Sequence, residues 1–378
     1  MRIVIAPDSF KGSIAAADAA AALAAGWLAA RPGDDVTRLP LADGGEGTLD
    51  VLAAAVAGAR WHSALVTGPD GRPVDCPWLE LPDATAVVEL ARASGLPLLT
   101  AADPLGAHTA GLGEAISHAL EGGARSIVIT LGGSASTDGG TGALAALGAR
   151  VLDRAGRALP RGGGALRDLA SVDLAGLRRP PAGGVSCLAD VTAPLLGPTG
   201  AAAVFGPQKG ADPGQIERLD GGLARLAALL GGDPGAAGSG AAGGTGYGFA
   251  AAWNAQIRPG AAELCRIAGL DRALRDADLV ITGEGRYDQT STGGKVAGAV
   301  FAAAAAAGVP AALVAGQLAG DPPPVTAALS LSELAGSPAA ALAAPARWLR
   351  LAGQRLAAAT EPAGGQGGRG HTRRGAGR

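Results

Sequence analysis

Residues 1–26 read MRIVIAPDSFKGSIAAADAAAALAAG. A short apolar run, Arg2–Ala6, stops at Pro7 and Asp8, and an Ala-rich helical stretch, Ala15–Ala30, follows within a few residues. A run this short, closed by Pro and Asp, reads as a buried strand and lacks the longer apolar core of a signal peptide. The same cadence returns along the chain. Val36–Leu39, Ala86–Leu90, Ser126–Leu131, Val185–Leu188, Asp278–Thr282 and Ala311–Ala315 read as strands. Gly47–Val56, Thr109–Leu120, Gln215–Leu230, Lys295–Ala307 and Ala339–Ala358 read as helices between or after them. Strands alternating with helices predict α/β layers around a mostly parallel sheet.

Two turn-rich regions interrupt the alternation. Trp61–Leu81 carries GPDGRPVD, and Ala149–Leu188 carries VLDRAGRALPRGGGALRDL. They predict a second, more mixed α/β domain, with the first domain discontinuous around it. The expected division is 1–58, 85–148 and 265–358 for the first domain and 59–84 with 149–264 for the second. The remainder, 359–378, is basic and Gly-rich, has no large apolar residue after Thr360, and is expected to be disordered.

Composition excludes several classes. The 31 basic and 33 acidic residues give a net charge of −2, which offers no electrostatic case for nucleic acid. Three separated cysteines without a CxxC exclude a disulfide scaffold and a structural zinc site. The uncharged stretch Val296–Gln317 is long enough to span a membrane, but Gly308-Val309-Pro310 cuts it, so a helix, a turn and a strand are expected. The expected compartment is the cytoplasm; the expected partner is a small-molecule substrate, with no membrane partner, and the expected state a monomer or homodimer. Only Lys11, Lys209 and Lys295 are lysines, each in a Gly-containing segment, while the chain uses Arg elsewhere. Lysine is a compact point charge and arginine a planar fork, so a retained lysine points to a geometric need.

Four glycine-rich units follow strands. IAPDSFKGS (5–13) sets Asp8, Ser9 and Lys11 at a strand end. LADGGEGT (41–48) sets Asp43 and Glu46 around Gly44 and Gly45. TLGGSASTDGGTG (130–142) offers Ser134, Ser136, Thr137 and Asp138 between two Gly pairs. ITGEGRYDQTSTGGK (281–295) carries Glu284, Asp288 and Lys295. A fifth segment, 189–212, holds Asp190 at a strand end and Lys209. Loops at the carboxyl ends of parallel strands collect ligands, and backbone amides there favour anions. A Walker A loop fails because Gln289 and Val296 stand where Gly and a hydroxyl are needed. GxGxxG at Gly238, Gly240 and Gly243 follows no strand, so a dinucleotide site is not expected there. Gly-x-Ser-x-Gly is absent, which leaves a triad hydrolase without support.

IAPDSFKGS, LADGGEGT, GGSASTDGG, FGPQKGA and ITGEGR, in this order, resemble the glycerate kinase family of bacterial glycerate 2-kinases. The resemblance spans about residues 2–358. It implies two α/β domains, one with a mostly parallel Rossmann-like sheet and one smaller with a mixed sheet, and an active site in the cleft between them. It also implies Mg²⁺-dependent transfer of the ATP γ-phosphoryl group to a hydroxyl of D-glycerate, with 2-phosphoglycerate the favoured product. Two motifs depart from the family pattern. An Asn position is Ala193, and the usual Ala-Thr-Asn-Asp-Gly-Gly reads Ala135-Ser136-Thr137-Asp138-Gly139-Gly140. Both departures bear on fine specificity.

Phosphoryl transfer needs positioned cations, carboxylates toward a metal, and a group that orients or deprotonates the accepting hydroxyl. Lys11 is the candidate for charge stabilisation and Asp190 for the base, with a metal-ligand role its rival reading. Glu284 and Asp288 are the candidate Mg²⁺ contacts. Asp8, Ser9, Asp43, Gly44, Gly45, Glu46, Ser134, Ser136, Thr137, Asp138, Lys209 and Lys295 are the candidate substrate and nucleotide contacts. A metal-assisted lyase or epimerase of a sugar acid could use the same carboxylates without ATP, and a non-catalytic sugar-acid binder would need no base.

Overall fold

The structure, a computed structural model, describes residues 1–45, 47–292 and 295–360. Glu46 and the tail 361–378 lie outside the described residues.

Thirteen strands are described: β1 (Arg2–Ile5), β2 (Asp35–Arg38), β3 (Arg60–Thr67), β4 (Pro73–Glu80), β5 (Thr85–Glu89), β6 (Ser126–Thr130), β7 (Arg150–Leu152), β8 (Ser171–Asp173), β9 (Val185–Leu188), β10 (Gln256–Arg258), β11 (Leu279–Tyr287), β12 (Ala311–Leu318) and β13 (Ala327–Ser330). Five form an all-parallel sheet in the order β13-β12-β11-β1-β2. Six form a mixed sheet in the order β10-β9-β6-β5-β4-β3, parallel from β10 to β5 and antiparallel through β4 and β3. A small antiparallel pair, β7-β8, stands apart.

Alternation along the strands decides which face meets which helix. In the parallel sheet Ile3, Ile5, Leu279 and Ile281 join a core with the helices Ala16–Ala30 and Pro345–Ala359. Those two helices meet backbone to backbone: a Cβ at Gly26 would lie 1.9 Å from Arg350 O, so no side chain fits there. Val4 and Val280 face the other way. They share one core with Val87, Val128 and Leu188 of the mixed sheet, through helices Thr48–Ala55, Gly260–Ile267 and Val296–Ala307. The far face of the mixed sheet, with Ala86, Val88, Ile127, Ile129 and Cys187, packs on Ala110–Glu121 and Ala241–Trp253. The layering is helix, sheet, helix, sheet, helix.

Strand membership departs from the expected division at one place. Residues 85–148 are expected in the domain of β1, but β5 and β6 pair with β4 and β9 in the mixed sheet. Their apolar runs fit a parallel neighbour in either sheet, and the run itself carries no mark of which one. The expected long helix 339–358 is two helices, Pro338–Ala343 and Pro345–Ala359, because Pro345 starts a new one. The stretch 296–317 is a helix, Val296–Ala307, followed by β12, with left-handed Gly308 closing the helix. Among the described residues no helix is long and apolar enough to cross a membrane.

Candidate active site

The carboxyl ends of the parallel strands of both sheets deliver their loops to two adjoining chambers. The larger, a cleft of about 1080 Å³, is lined by Asp8, Ser9, Lys11, Glu284, Arg286 and Lys295 among others. The smaller, about 230 Å³, is lined by Ser134, Asp190, Phe205, Lys209, Ala241 and Ala242 among others. Asp43, Gly45 and Gly133 line both.

β1 ends beneath Asp8. The Asp8 carboxylate accepts the Ser9 N–H at 2.6 Å. Burial, then the nearby charges of Asp43 and Glu284, push its pKa up to about 7. Lys11 is exposed at the cleft wall. Glu284 sits inside β11 and not on a loop as expected, because ITGEGR continues the strand. Its glycines serve close packing: a Cβ at Gly283 would lie 2.3 Å from Val314 O of β12, and one at Gly285 3.1 Å from the Lys11 backbone nitrogen. Glu284 is buried at 6 % exposure, and its Oε1 has no hydrogen-bond partner. Its Oε2 lies 3.6 Å from Lys295 Nζ. Burial raises the Glu284 pKa, and Lys295 opposes that shift. Asp288 lies off the cleft lining, with Oδ2 at 3.6 Å from Arg286 Nε.

The loop after β6 divides in two. Gly132, Gly133 and Ser134 line the smaller chamber. Ser136, Thr137 and Asp138 are fully buried behind it. Asp138 accepts from Thr109 N–H at 3.0 Å, Thr109 Oγ1 at 2.8 Å, Gly140 N–H at 3.1 Å and Gly142 N–H at 3.1 Å. Four donors around one carboxylate make it an anchor for the loop and for the helix that follows. Lys209 is 2 % exposed; its Nζ donates to Ser136 O and lies 3.5 Å from Thr137 Oγ1. Burial lowers its pKa to about 8, with Asp138 opposing. Thr137, at one departure from the family pattern, thus meets a buried lysine.

Asp190 follows β9. Its Oδ1 accepts the N–H of Gly260 at 2.8 Å and of Ala261 at 3.3 Å, at the start of helix Gly260–Ile267. These amides and the helix terminus favour the anion. Burial outweighs them, and with Asp43 nearby the pKa stands at about 6. Asp43 holds its own turn, with Oδ1 accepting Gly45 N–H at 3.0 Å. Ala193, the other departure, contributes its carbonyl, which accepts Gly240 N–H at 3.0 Å.

Glu89 escaped the sequence reading. It ends β5, is fully buried, and accepts Gly47 N–H at 3.3 Å, while its Oε2 has no hydrogen-bond partner and pairs with Arg92 Nε at 3.8 Å. It holds the N-terminus of helix Thr48–Ala55 and so the loop that carries Asp43. The signal was present in VVELARAS, a carboxylate closing an apolar run, but no glycine marked it.

The donor set fits a hydrated Mg²⁺ in one respect. An orphaned buried carboxylate oxygen, Glu284 Oε1, belongs to a residue lining the cleft, and Mg²⁺ commonly takes one or two carboxylates and keeps its remaining waters or phosphate oxygens. Among the described residues there is no cluster of three or more His, Cys, Asp or Glu that could hold a metal ion.

Residues 3–361 match the sequence profile of the glycerate kinase family. Glycerate kinase of Bacillus subtilis (strain 168) is 43% identical over 332 residues, covering 85% of this chain and 86% of the relative. Glycerate 2-kinase of Escherichia coli (strain K12) is 43% identical over 305 residues, covering 78% and 80%. A crystal structure from Salmonella typhimurium LT2, of a protein provisionally named glycerate kinase 2, superposes with a TM-score of 0.83 at 41% identity, covering 95% of this chain and 97% of that one. With five ordered motifs gathered around two adjoining chambers and a profile match over nearly its whole length, this chain belongs to the glycerate kinase family.

Proposed function

We propose that the protein transfers the γ-phosphoryl group of ATP to a hydroxyl of D-glycerate, with Mg²⁺, and that Asp190 is the base. The observation that carries this reading is the junction. One wall, Asp43, Gly45 and Gly133, is common to a cleft with two lysines and a chamber with a strand-end carboxylate. In the reaction the acceptor hydroxyl loses its proton to Asp190. Its oxygen forms a bond to the γ-phosphorus as the bond to the bridging oxygen breaks, and ADP leaves. A carboxyl with a pKa of about 6 is mostly ionised at neutral pH yet more basic than a free aspartate, which suits a general base. Lys11 and Lys295 supply positive charge beside the transferring group, where such charge lowers the barrier most. Mg²⁺, when bound, neutralises phosphate charge; Glu284 is the residue suited to hold it, directly or through water, with Asp8 near. Asp288 stands outside the lining and is the weaker candidate. Ser134 is suited to ligand contact, whereas Ser136, Thr137, Asp138 and Lys209 act by shaping the wall. A glycerate-dependent release of ADP tests the reading. Turnover without ADP would favour a lyase or epimerase, and glycerate binding without turnover a binding protein.

A further inference from the structure

The segment Gly238-Ser239-Gly240-Ala241-Ala242-Gly243 matches GxGxxG yet follows no strand. Its place in the fold is the wall of the smaller chamber, which Ala241 and Ala242 line. The backbone there turns left-handed over three residues: Ala242 (φ 52, ψ 41), Gly243 (φ 66, ψ 32) and Gly244 (φ 89, ψ 5). For alanine that conformation is unfavourable and persists only where the surroundings over-determine it. They do so here. Gly240 N–H donates to Ala193 O at 3.0 Å, and Gly139 N–H donates to Gly243 O at 3.0 Å. A Cβ at Gly240 would lie 2.2 Å from Pro194 O, and one at Gly243 2.1 Å from Ser136 O. The turn is therefore wedged between the segment after Asp190 and the loop after β6. Backbone atoms, not adaptable side chains, fix the separation of those two walls.

We propose that the smaller chamber is the acceptor site, and that the left-handed turn Ala242–Gly244, together with Phe205, sets its length so that it takes a three-carbon hydroxy acid. This rests on the kinase reading above. Size divides the two ligands. Sites for drug-sized ligands run to about 300–1,000 Å³. The cleft of about 1080 Å³ suits a nucleoside triphosphate, and the chamber of about 230 Å³ suits only a small acid. Chemistry divides them the same way. Asp190 can accept a hydrogen bond from a hydroxyl, and it lines this chamber and not the cleft, whereas Asp43 lines both. Phe205 is half-buried at the end of the short helix Ala201–Phe205, so its truncation leaves the core untouched.

Calorimetric titration of D-glycerate into the full chain, with a non-hydrolysable ATP analogue present, tests this. Ala242→Asn adds bulk while tolerating the left-handed backbone. It should weaken glycerate binding by about 10-fold or more, the scale of a one-group misfit in a fitted pocket. The analogue, titrated alone, should bind within about 2-fold of wild type, because the predicted donor cleft is separate. Phe205→Ala should shift the kcat/KM ratio toward the four-carbon acid erythronate by about 10-fold; it carries the test if Ala242→Asn fails to fold. The proposal is overturned if glycerate does not bind the wild type, if both variants bind glycerate as wild type does, or if Ala242→Asn weakens the analogue instead. ADP release by the wild type is read separately. Release with an unmoved glycerate affinity rejects the chamber and keeps the reaction, whereas binding that responds to the variants without release keeps the chamber and rejects the reaction.

Discussion

Burial and charge pull in opposite directions at the residues that matter most. Asp190 has two backbone amides and a helix start favouring its anion, yet burial holds its pKa near 6. If it is the base, it must be ionised to work. We expect kcat/KM for glycerate to rise tenfold per pH unit up to about pH 6 and then to level, read from a pH–rate profile. Asp190→Asn keeps an oxygen for Gly260 and Ala261 and removes a buried charge, so Tm should not fall. Its kcat should drop by ~10²–10⁴-fold with the low-pH limb lost, and extra Mg²⁺ should not restore it. Recovery by Mg²⁺ would move Asp190 to the metal. Lys11 is exposed on the cleft wall, where substitution disturbs no packing. Lys11→Arg should keep the melting temperature while kcat falls by about 10²-fold, because a planar fork does not replace a compact ammonium at the transferring group. An unchanged kcat/KM would remove Lys11 from the site.

The loop after β6 shows what sequence can and cannot reveal about an element. GGSASTDGG was legible as a strand-to-helix loop at a ligand-binding edge, because glycine pairs following an apolar run and preceding a helix have few other uses. The roles within it were not legible. Ser134 reaches the chamber, but Asp138 points into the protein toward Thr109, 29 residues away in sequence. Nothing in the spacing of a loop tells which of its polar side chains its own backbone will claim. Glu89 was missed for the same reason, since its hydrogen bond goes to the Gly47 amide at a helix N-terminus, which no spacing of side chains marks. Glu284 was legible as a candidate, although it lies inside β11 and not on a loop: the glycines beside it serve close strand packing. Asp138 offers a direct check. Asp138→Ala leaves buried donors unpaired at about 1–3 kcal/mol each, so thermal or urea unfolding should show a loss of more than about 3 kcal/mol. A ligand-contact role would instead raise KM and leave stability alone.

At the scale of the whole molecule, the alternation of strands and helices fixed the class, and the strand ends located the chambers. Sheet membership was beyond the sequence, because β5 and β6 carry apolar runs that either sheet could accept. The structure gives those strands a consequence. Val87 and Val128 share one core with Val4 and Val280, so the two sheets bury a common helical layer. Such continuity predicts a single cooperative calorimetric transition, with calorimetric and van't Hoff enthalpies equal; two separate transitions would show that the sheets unfold independently. The shared layer also brings the strand ends of both sheets to one junction, on which the proposed reaction depends. The measurement that tests this most directly is ³¹P NMR of ATP, Mg²⁺ and D-glycerate with the full chain. We predict that the γ-phosphate signal is lost, that ADP appears, and that an equal amount of a new phosphomonoester signal grows in, its coupling to the glycerate protons reporting a 2-phosphate. No new phosphomonoester under conditions where glycerate and ATP both bind would contradict the account.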